Sequence, residues 1–445
     1  MQVIIIGAGK VGFSLAEKLS GENHDVFLIE QNQERLKIVE EKLDVQTIEG
    51  NGASISTLVT ADIQNTDLLI AVTEVDEINI VACLLAKQYH VNKTVARVRN
   101  PEYVETSGFR NTTMGIDLVI NPEMVTAETI ARITDIPEAL NVEYYAGGHV
   151  QLLEICVDDH APIIGKRLAD LKFDIPYLIV AVLREQEMII PRGEDIIKEK
   201  DLLFVMAETS EMIHIEHLLG KSRVHIGEVT ILGGGRIGYN LAKILERSSY
   251  KVKIIEKDYR KCQLLSSQLG RTLVIHGDGT DISLLEEEDI SQSDMLVAVT
   301  GDDKVNLLVS LLAKHLGVKK TVAQIRRSDY IPLVEKVGID VAVSPRMLTA
   351  GAILKHIRKG DIISVTLLGG AKAEMLEMVA PDSGRIINRP LQKIRFPRGI
   401  IIGAIARGNK VIVPTGKDSI LAGDLVMVFA LPTAVTKVEE LFAGR

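Results

Sequence analysis

Short apolar runs alternate with amphipathic stretches from Gln2 to Ile120. The runs have the length of strands and are apolar throughout, as in parallel sheets that are covered on both faces. They predict six strands: Gln2–Ile6, Asp25–Ile29, Val45–Ile48, Leu68–Val72, Thr94–Val98 and Leu118–Ile120. The stretches between them predict helices at Val11–Leu19, Gln33–Lys42, Ile55–Thr60, Asn79–Tyr89 and Pro101–Ser107. This alternation is typical of a doubly wound α/β domain with a parallel sheet.

A different pattern follows this domain. Residues Pro122–Thr134 predict one amphipathic helix, and short β-rich runs predominate after Asn141. These runs predict strands at Leu152–Val157, Tyr177–Leu183, Met188–Ile190 and Leu202–Ala207, with a closing helix at Ser210–Leu218. The sequence therefore predicts a small α+β module after the parallel-sheet domain. We expect short joins near Ala146–Gly148 and Gly220–Gly227, because no low-complexity linker separates the parts.

The whole pattern occurs twice in the chain. The loop Gly233–Gly238 repeats Gly7–Gly12 at an offset of 226 positions (233 minus 7), and matching runs continue beyond it. Such a period is too long for a solenoid, so it indicates a duplicated pair of domains. The predicted segments are 1–121, 122–140, 141–224, 225–344, 345–362 and 363–445. The predicted fold class is α/β, with two doubly wound parallel-sheet Rossmann domains, each followed by a helix and a small α+β domain.

The first apolar run ends in a glycine-rich loop that opens the first helix. The loop residues are Gly7, Ala8, Gly9, Lys10, Val11 and Gly12, with G-x-G-x-x-G spacing in a strand-to-helix context. The first glycine permits the tight turn, the second lets a pyrophosphate approach the backbone, and the third lets the helix lie close to the strand. Free N–H groups at the helix start then face the anion. The second loop has Gly233, Gly234, Gly235, Arg236, Ile237 and Gly238, and we expect Gly234 to loosen it.

Further candidate ligand contacts follow other strands at the same edge of each predicted sheet. Ligands of open α/β sheets bind outside the carboxyl ends of the strands, where the strand order reverses. Glu30 and Glu256 each lie 18 positions past the last glycine of their loop (30 minus 12, 256 minus 238). A carboxylate there holds ribose hydroxyls and repels a 2′-phosphate, which favours NAD or an adenine nucleotide over NADP. The other candidates are Asn51, Thr73, Arg97 and Arg99, with Asp278, Thr300, Gln324 and Arg326 at the repeat positions.

Each of these candidates has a structural alternative. The glycine loops would also serve as turns without a ligand, and the second site is the weaker one because Gln324 replaces Arg97. Thr73 with Asp76 would cap the helix that contains Asn79. Arg97 would be a surface ion-pair partner. These alternatives compete with ligand binding at each position.

The histidines favour neither a catalytic nor a metal site. His214 and His217 lie three apart on a predicted helix, with Glu211 and Glu216 nearby, but a solvated helix face explains this spacing better than a metal site. The sequence supports no Ser-His-Asp, Cys-His or paired-carboxylate arrangement.

Composition and charge exclude several function classes. A net charge of −9, a pI of about 5.7 and the absence of Trp disfavour a nucleic-acid partner. No apolar run reaches the ~18 residues of a membrane helix, and the glycine loop begins at Gly7, so we expect no signal peptide. Cys83, Cys156 and Cys262 are far apart and odd in number. They fit a reducing cytoplasm, without a disulfide or zinc framework.

These features together resemble the tandem RCK (regulator of potassium conductance, or KTN) domain family over the full chain. The resemblance rests on the duplicated glycine loops and on three shorter motifs, Val72–Asn79, Ala96–Arg99 and Pro191–Gly193 with Asp201. It implies a cytoplasmic regulatory subunit that binds NAD(H), or ATP and ADP, and is not an enzyme. It also implies a homo-oligomeric ring, a tetramer by our expectation, beneath a membrane potassium-translocating subunit whose opening changes with ring shape.

The resemblance assigns roles to residues. Gly7–Gly12 would cradle the pyrophosphate, and Glu30 would hold the ribose. Thr73, Glu74 and Arg97 would complete the first site, with Asn51 at the position of Asp278 in the other half. The second site would comprise Gly233–Gly238, Glu256, Asp278 and Thr300. Because Gln324 replaces Arg97, we expect two non-equivalent sites, and the helices Pro122–Thr134 and Pro345–His356 would cross over to join subunits.

Two other functions remain open from the sequence. An NAD-dependent oxidoreductase would need a general acid or base beside the nicotinamide, and the small modules offer no convincing candidate. A free-standing cytosolic nucleotide sensor would act on some other protein.

Overall fold

The computed structural model describes the chain except residues 101, 104–114, 172–173, 222–225, 328–329, 358–361, 370–371, 409 and 443–445. Packing divides the chain into two units. The first comprises Met1–Thr126 with Pro345–Arg358, and the second comprises Ala127–Ser344 with Lys359–Arg445. Each unit therefore contains segments from both halves of the sequence.

The first unit is built on a six-stranded parallel sheet in the order β3-β2-β1-β4-β5-β6. Its strands are β1 Gln2–Ile6, β2 Asp25–Glu30, β3 Gln46–Glu49, β4 Leu68–Ala71, β5 Lys93–Arg97 and β6 Leu118–Ile120. Its helices are α1 Lys10–Gly21, α2 Gln33–Lys42, α3 Ile55–Thr60 and α4 Asp76–Gln88, and α5 Pro122–Asp135 begins here and ends in the second unit. The predicted bounds differ by at most three residues, at the start of α4 (79 minus 76). The predicted helix Pro101–Ser107 lies outside the described residues except positions 102 and 103, which are helical.

The apolar run that opens the chain is the central strand of this sheet. Val3, Ile4 and Ile5 are completely buried, and Ile6 is 2% exposed. Strand β1 pairs with β2 on one side and β4 on the other, in parallel register. Because both faces of such a strand are covered, an unbroken apolar run suits it better than an alternating one.

The second unit begins with the end of α5 and a five-stranded antiparallel sheet in the order β10-β9-β11-β8-β7. Its strands are β7 Asn141–Tyr145, β8 Val150–Cys156, β9 Tyr177–Arg184, β10 Glu187–Ile189 and β11 Leu202–Glu208, followed by helix α6 Met212–Leu218. Strand β7 was not predicted. The Ala146–Gly148 stretch, predicted as a join, is the turn between β7 and β8, so that prediction is wrong. The predicted join at Gly220–Gly227 lies partly outside the described residues.

The second unit also contains the second parallel sheet, in the order β14-β13-β12-β15-β16-β17. Its strands are β12 Glu228–Leu232, β13 Lys251–Glu256, β14 Leu273–His276, β15 Met295–Ala298, β16 Lys320–Gln324 and β17 Val341–Val343. Its helices are α7 Arg236–Leu245, α8 Tyr259–Gln268, α9 Ile282–Glu287, α10 Asp303–His315 and α11 Ile331–Lys336. The strand order repeats that of the first sheet, as the duplication predicts.

A helix from the second half of the sequence completes the first unit. Helix α12, Pro345–Ile357, contacts α1 and β6 of the first sheet. The Nε atom of Arg346 donates a hydrogen bond to Ser14 Oγ at 2.7 Å. The predicted crossover helix therefore crosses between the two halves of one chain.

A second antiparallel sheet follows, in the order β18-β19-β22-β20-β21. Its strands are β18 Ile362–Leu368, β19 Ala373–Val379, β20 Ile400–Arg407, β21 Lys410–Ile412 and β22 Leu425–Ala430, followed by α13 Val435–Phe442. The two antiparallel sheets share one apolar core, which includes the fully buried Phe204 and Phe429. An Arg–Asp pair recurs in both sheets, with Arg184 Nη2 2.7 Å from Asp201 Oδ2 and Arg407 Nη2 2.8 Å from Asp424 Oδ2.

Lys320, the first residue of β16, connects the second parallel sheet to the chain that leaves α5. Its Nζ donates hydrogen bonds to the carbonyl oxygen of Pro137 and, at 3.1 Å, to that of Ala139. The residue is 7% exposed, and burial lowers its pKa from 10.5 to about 8. Lys93 at the repeat position is exposed.

The sequence predictions about membrane helices and cysteines can be compared with the structure. Among the described residues, no helix combines the length and apolar character needed to cross a membrane. Cys83, Cys156 and Cys262 are free thiols.

The burial of Lys320 predicts a specific pH dependence of stability. A lysine whose pKa is lower in the folded state binds fewer protons there than in the unfolded chain, so its contribution to folding rises between about pH 8 and 10.5. Over this interval the unmodified chain should gain stability relative to Lys320→Met, by at most about 3 kcal/mol. Denaturant unfolding of both chains near pH 7 and 10 measures the difference, with the exposed Lys93→Met as control. Parallel pH profiles for Lys320→Met and the unmodified chain would contradict the expectation.

Candidate functional site

The carboxyl edge of the first parallel sheet brings together residues from four neighbouring strands. Gly7 follows β1, Glu30 ends β2, Thr73 lies two positions past β4, and Arg97 ends β5. Strand order reverses between β1 and β4, because β2 and β3 lie on one side of β1 while β4 to β6 lie on the other. This is the crevice where ligands of open α/β sheets bind.

The glycine loop has the geometry that its spacing predicts. Gly7 has φ of +103°, a left-handed conformation that favours glycine, and a Cβ there would lie 3.1 Å from Thr73 N. A Cβ at Gly12 would lie 1.9 Å from the carbonyl oxygen of Gly7, so only glycine lets α1 approach the strand this closely. Among the residues that the structure describes, none has an atom within 4 Å of a Cβ at Gly9 beyond its chain neighbours and its own helix, which leaves open space over the backbone at the start of α1.

The loop of the second sheet has the same conformation. Gly233 has φ of +104°, and a Cβ at Gly238 would lie 2.0 Å from the Gly233 carbonyl oxygen. Gly235 has φ −70° and ψ −174°, against −66° and −179° at Gly9. Gly234 therefore leaves the conformation of its neighbours in the loop unchanged, and the expectation that it loosens the loop stays a prediction.

Gly234 is required by its surroundings. A Cβ there would lie 2.4 Å from Leu265 Cδ1 and 3.1 Å from Glu256 Oε2. At an offset of 226, Ala8 corresponds to Gly234 and Val39 to Leu265 (265 minus 39). The second half thus has the smaller loop residue, glycine, with the larger helix residue, leucine, where the first half has alanine and valine. The summed side-chain volume of the pair is therefore similar in the two halves.

A carboxylate closes each glycine loop. Glu30 Oε2 accepts a hydrogen bond from Ala8 N at 2.7 Å, and Glu256 Oε2 accepts one from Gly234 N at 2.7 Å. The other oxygen accepts from the following loop, from Gln31 N at 2.8 Å in the first half and from Asp258 N at 2.8 Å in the second. Glu30 also accepts from Asn32 N at 3.1 Å. Two carboxylate oxygens offer about four acceptor directions, so about one remains for a sugar hydroxyl at Glu30 and about two remain at Glu256.

A buried asparagine, which we did not single out as a site residue, ties the ends of β4 and β5 together. The Oδ1 atom of Asn79 accepts from Thr73 N at 2.9 Å and Thr73 Oγ1 at 2.8 Å, and its Nδ2 donates to the Arg97 carbonyl oxygen at 2.8 Å. Asn306 repeats these bonds with Thr300 and the Gln324 carbonyl oxygen. The shared offset of 227 (306 minus 79, 300 minus 73) is the sequence signal that would have found it.

The alternative that Thr73 with Asp76 caps the α4 helix is wrong. The N-cap residue is Val75, which makes no side-chain capping bond. Asp76 lies within α4, and its Oδ2 accepts from the backbone N–H groups of Arg99 and Asn100, both at 2.8 Å. Both carboxylate bonds hold the segment after β5 in place.

Arg97 differs from the surface ion-pair partner that was the alternative. Its Nη1 donates to the Thr73 carbonyl oxygen at 3.2 Å, and its Nε is buried without a hydrogen-bond partner among the described residues. Burial lowers the pKa of the guanidinium, and the positive charge of Arg99 adds to this. The group is therefore a partly desolvated cation at the edge of the site.

The other predicted residues lie around this edge. Asn51 is exposed and accepts from Ala53 N at 2.9 Å. Asp278 is exposed, and the hydrogen bond from Thr280 N lowers its pKa, with contributions from the Thr280 hydroxyl and Lys257. Three further side chains are exposed, those of Lys10, Glu74 and Arg236, while Val11 is half-buried and Ile237 is buried. Ligand contacts by these residues stay predictions.

The histidine pair lies on the short helix α6. His214 Nδ1 is 3.5 Å from Glu211 Oε2, and the His214 side chain is 64% exposed. No group of three or more His, Cys, Asp or Glu residues that could hold a metal occurs within the described parts of the chain.

Comparisons with known families match most of the chain. The TrkA-N domain matches residues 3–122 and 229–345. The TrkA-C domain matches residues 152–220 and 375–443. The two domains therefore alternate twice along the chain, in agreement with the duplication.

The chain is similar along its length to proteins named as Trk system potassium uptake proteins. The chain is 41% identical over 450 residues to Trk system potassium uptake protein TrkA homolog 1 of Methanosarcina mazei, covering 99% of this chain and 100% of the relative. It is 37% identical over 451 residues to Trk system potassium uptake protein TrkA of Halomonas elongata, covering 99% and 98%.

Solved structures with low sequence identity share the fold. The GsuK channel bound to NAD matches with a TM-score of 0.62 and 20% identity, over 100% of this chain and 79% of that one. The GsuK RCK domain matches with a TM-score of 0.61 and 19% identity, over 100% and 95%.

The paired loop and helix residues predict a compensating double substitution. Gly234→Ala should destabilise the chain by about 1–3 kcal/mol, because its methyl group would overlap the Leu265 side chain. Adding Leu265→Val, which reproduces the Ala8 and Val39 pairing, should recover most of the loss. Thermal or denaturant unfolding of the two single variants and the double variant tests this. Additive losses in the double variant would rule out the volume compensation.

Proposed function

Because this chain belongs to the TrkA family of Trk-system potassium uptake proteins, we propose that it is a nucleotide-binding regulatory subunit of a potassium-uptake system. The observation that carries the proposal is the repeated loop geometry. In each parallel sheet a glycine loop donates a backbone hydrogen bond of 2.7 Å to a carboxylate, that of Glu30 in the first sheet and that of Glu256 in the second.

We propose NAD(H), ATP and ADP as the ligands of these two sites. The backbone N–H groups at the starts of α1 and α7 would hold phosphates, since no side chain of the described residues lies within 4 Å of a Cβ at Gly9 or Gly235. Glu30 and Glu256 would accept hydrogen bonds from ribose hydroxyls. Thr73, Glu74 and Arg97 would complete the first site, and Asp278 and Thr300 the second. The fold of the GsuK channel, solved with NAD, accommodates such a ligand.

The regulatory role follows from differential binding. A ligand shifts a conformational equilibrium only when its affinity for the two states differs. In the proposed assembly, identical chains form a ring, which we take to be a tetramer, on the cytoplasmic side of a membrane potassium-translocating subunit of the TrkH or TrkG type. Exchange of one nucleotide for another would change the ring conformation and thereby the potassium flux.

The domain organisation forms part of the same proposal. We assign nucleotide-binding domains to 1–121 and 225–344, crossover helices to 122–140 and 345–362, and small α+β domains to 141–224 and 363–445.

The alternative function, an oxidoreductase, makes a different prediction. An oxidoreductase would turn over NADH with a small substrate, whereas a regulatory subunit would bind NADH without turnover.

Removing the Glu30 carboxylate should weaken nucleotide binding at the first site. Glu30→Ala loses the acceptor for ribose hydroxyls and the bond to Ala8 N, so we expect affinity for NADH to fall by about tenfold or more. Calorimetric titration of the full chain measures this, with the exposed Glu41→Ala as a matched control. Equal affinity in Glu30→Ala and the unmodified chain would remove this residue from the site.

Regulation should be visible in a reconstituted system. The chain should copurify with its membrane potassium-translocating partner, and potassium flux into vesicles that contain both proteins should depend on which nucleotide is added. In Glu30→Ala with Glu256→Ala, flux should persist but lose this dependence. Flux that ignores nucleotides in the unmodified complex would contradict the proposal, and steady consumption of NADH would favour an enzyme.

A further inference from the structure

The two halves of the chain carry net charges of opposite sign. Residues 1–224 contain 20 Lys and Arg against 36 Asp and Glu, a net charge of −16 (20 minus 36). Residues 225–445 contain 31 against 24, a net charge of +7 (31 minus 24). The total of −9 therefore hides a basic second half. Such an asymmetry between the halves of one chain indicates an anionic partner for the basic half.

Much of this positive charge lies in one loop of the second antiparallel sheet, residues 380–399 between β19 and β20. This basic loop has one acidic residue and five cations, a net charge of +4 (5 minus 1), and the cations are Arg385, Arg389, Lys393, Arg395 and Arg398. The loop at the repeat position, residues 157–176 between β8 and β9, has the same length but a net charge of −1 (3 minus 4). A loop of this length therefore forms between these strands without such an excess of cations.

The basic loop is held in place by its backbone and by its apolar side chains. Leu391 N donates a hydrogen bond to the Asp418 carbonyl oxygen at 2.8 Å. Ile386 is completely buried, and Leu391, Ile394 and Phe396 pack against the same apolar core. The five cations alternate with these apolar residues along the loop, and all five are exposed. Packing of the apolar residues thus leaves the positive charges on the outer surface.

The five cations are not neutralised within the described part of the chain. None of them forms an ion pair with an acidic residue there, whereas Arg407 on the adjoining strand β20 pairs with Asp424 at 2.8 Å. Lys417 is a sixth exposed cation next to the basic loop, since it precedes Asp418, whose carbonyl oxygen accepts the bond from Leu391. The basic loop therefore presents a cluster of positive charges to its surroundings.

We propose that the basic loop docks on the anionic surface of a lipid bilayer, where phosphate groups of the lipid head groups bind the five cations. The function proposed above places the chain beside a membrane, and the choice of a lipid surface rests on that location. Protein interfaces have apolar centres, but no large apolar side chain of the basic loop is exposed. Single-stranded nucleic acid stacks on exposed aromatic rings, and the one aromatic residue of the loop, Phe396, packs against the core.

Screening allows a chain of negative net charge to bind a negative surface. At physiological ionic strength, charges interact over about 8 Å. The lipid surface therefore attracts the cations that lie against it and interacts little with acidic residues farther away. Each lysine or arginine at an anionic surface strengthens binding by about fivefold, and clusters of about four to eight are typical of segments that bind anionic lipid. The basic loop falls within that range.

Binding of the full chain to lipid vesicles tests the docking. We expect the chain to cosediment with vesicles of equal parts phosphatidylglycerol and phosphatidylcholine at about 0.1 M salt. Binding should be much weaker to phosphatidylcholine alone, and also at about 1 M salt, where the interaction is screened over about 3 Å.

A triple substitution in the basic loop should weaken binding to the anionic vesicles by at least about tenfold, because three of the five cations are lost, in Arg389→Gln, Lys393→Gln and Arg395→Gln. The thermal midpoint should not change, since these side chains are exposed. The matched control removes three exposed lysines from other parts of the chain and should bind like the unmodified chain, with Lys37→Gln, Lys42→Gln and Lys251→Gln.

A single charge reversal separates charge from packing. Lys393→Asp reproduces Asp170, the residue at the repeat position (393 minus 223), so the fold of this loop is compatible with it. It should weaken binding to the anionic vesicles more than Lys393→Gln does, because it adds a repulsive charge.

Equal binding to both kinds of vesicle, or unchanged binding of the triple variant, would overturn lipid docking. If the unmodified chain ignores lipid while the triple variant loses its transporter partner in copurification, or its oligomer in sedimentation, the basic loop is a protein interface and lipid docking is wrong. These results leave the proposed nucleotide function intact. That function fails separately, if the unmodified chain binds no nucleotide.

Discussion

One charge-assisted hydrogen bond organises the carboxyl edge of each parallel sheet. In it a backbone N–H of the glycine loop donates, at 2.7 Å, to the carboxylate of the residue that ends the second strand. In the first sheet the Glu30 side chain is only 11% exposed, so its charge needs donors near it. The loop supplies one, and the segment after β2 supplies two more. The same bonds fix the loop conformation and the rotamer of the acid. The edge is therefore preorganised before any ligand arrives.

Buried polar side chains also fix the neighbouring strand ends at this edge of the first sheet. Asn79 bridges the ends of β4 and β5, and Asp76 holds the segment that follows β5. Asn79 is completely buried, and burial of a side-chain amide costs folding free energy unless its hydrogen bonds are made, as they are here. Asn306 repeats the asparagine bridge. The bridge therefore maintains the spacing of the strand ends whether the last residue of the fifth strand is Arg97 or Gln324, because it bonds only to the backbone of that residue.

The pattern along the chain predicted most of the fold because the burial of each segment leaves its own periodicity of apolar residues in the sequence. The apolar runs of β1 and β4 are buried central strands, and the glycine spacing specified both a left-handed turn at Gly7 and a close helix approach at Gly12. Strand β7 was not predicted because Asn141–Tyr145 mixes polar and apolar residues, and its position depends on pairing with β8 and on the apolar cores that bury Val142 and Tyr145. The contacts of Lys320 and α12 join residues more than 180 positions apart, which no periodicity encodes. The candidate site residues were predicted from motifs, whereas Asn79 looked like an ordinary helical residue.

The position of α12 bears on how the chain arose. The first unit is completed by a helix that the other half of the sequence provides. A half-length precursor could bury the same face only by exchanging that helix with a sibling molecule, as swapped dimers do. Fusion of two such genes would then have replaced the exchange of helices between two molecules by a covalent link within one chain. The sequences of the two halves could diverge after that fusion.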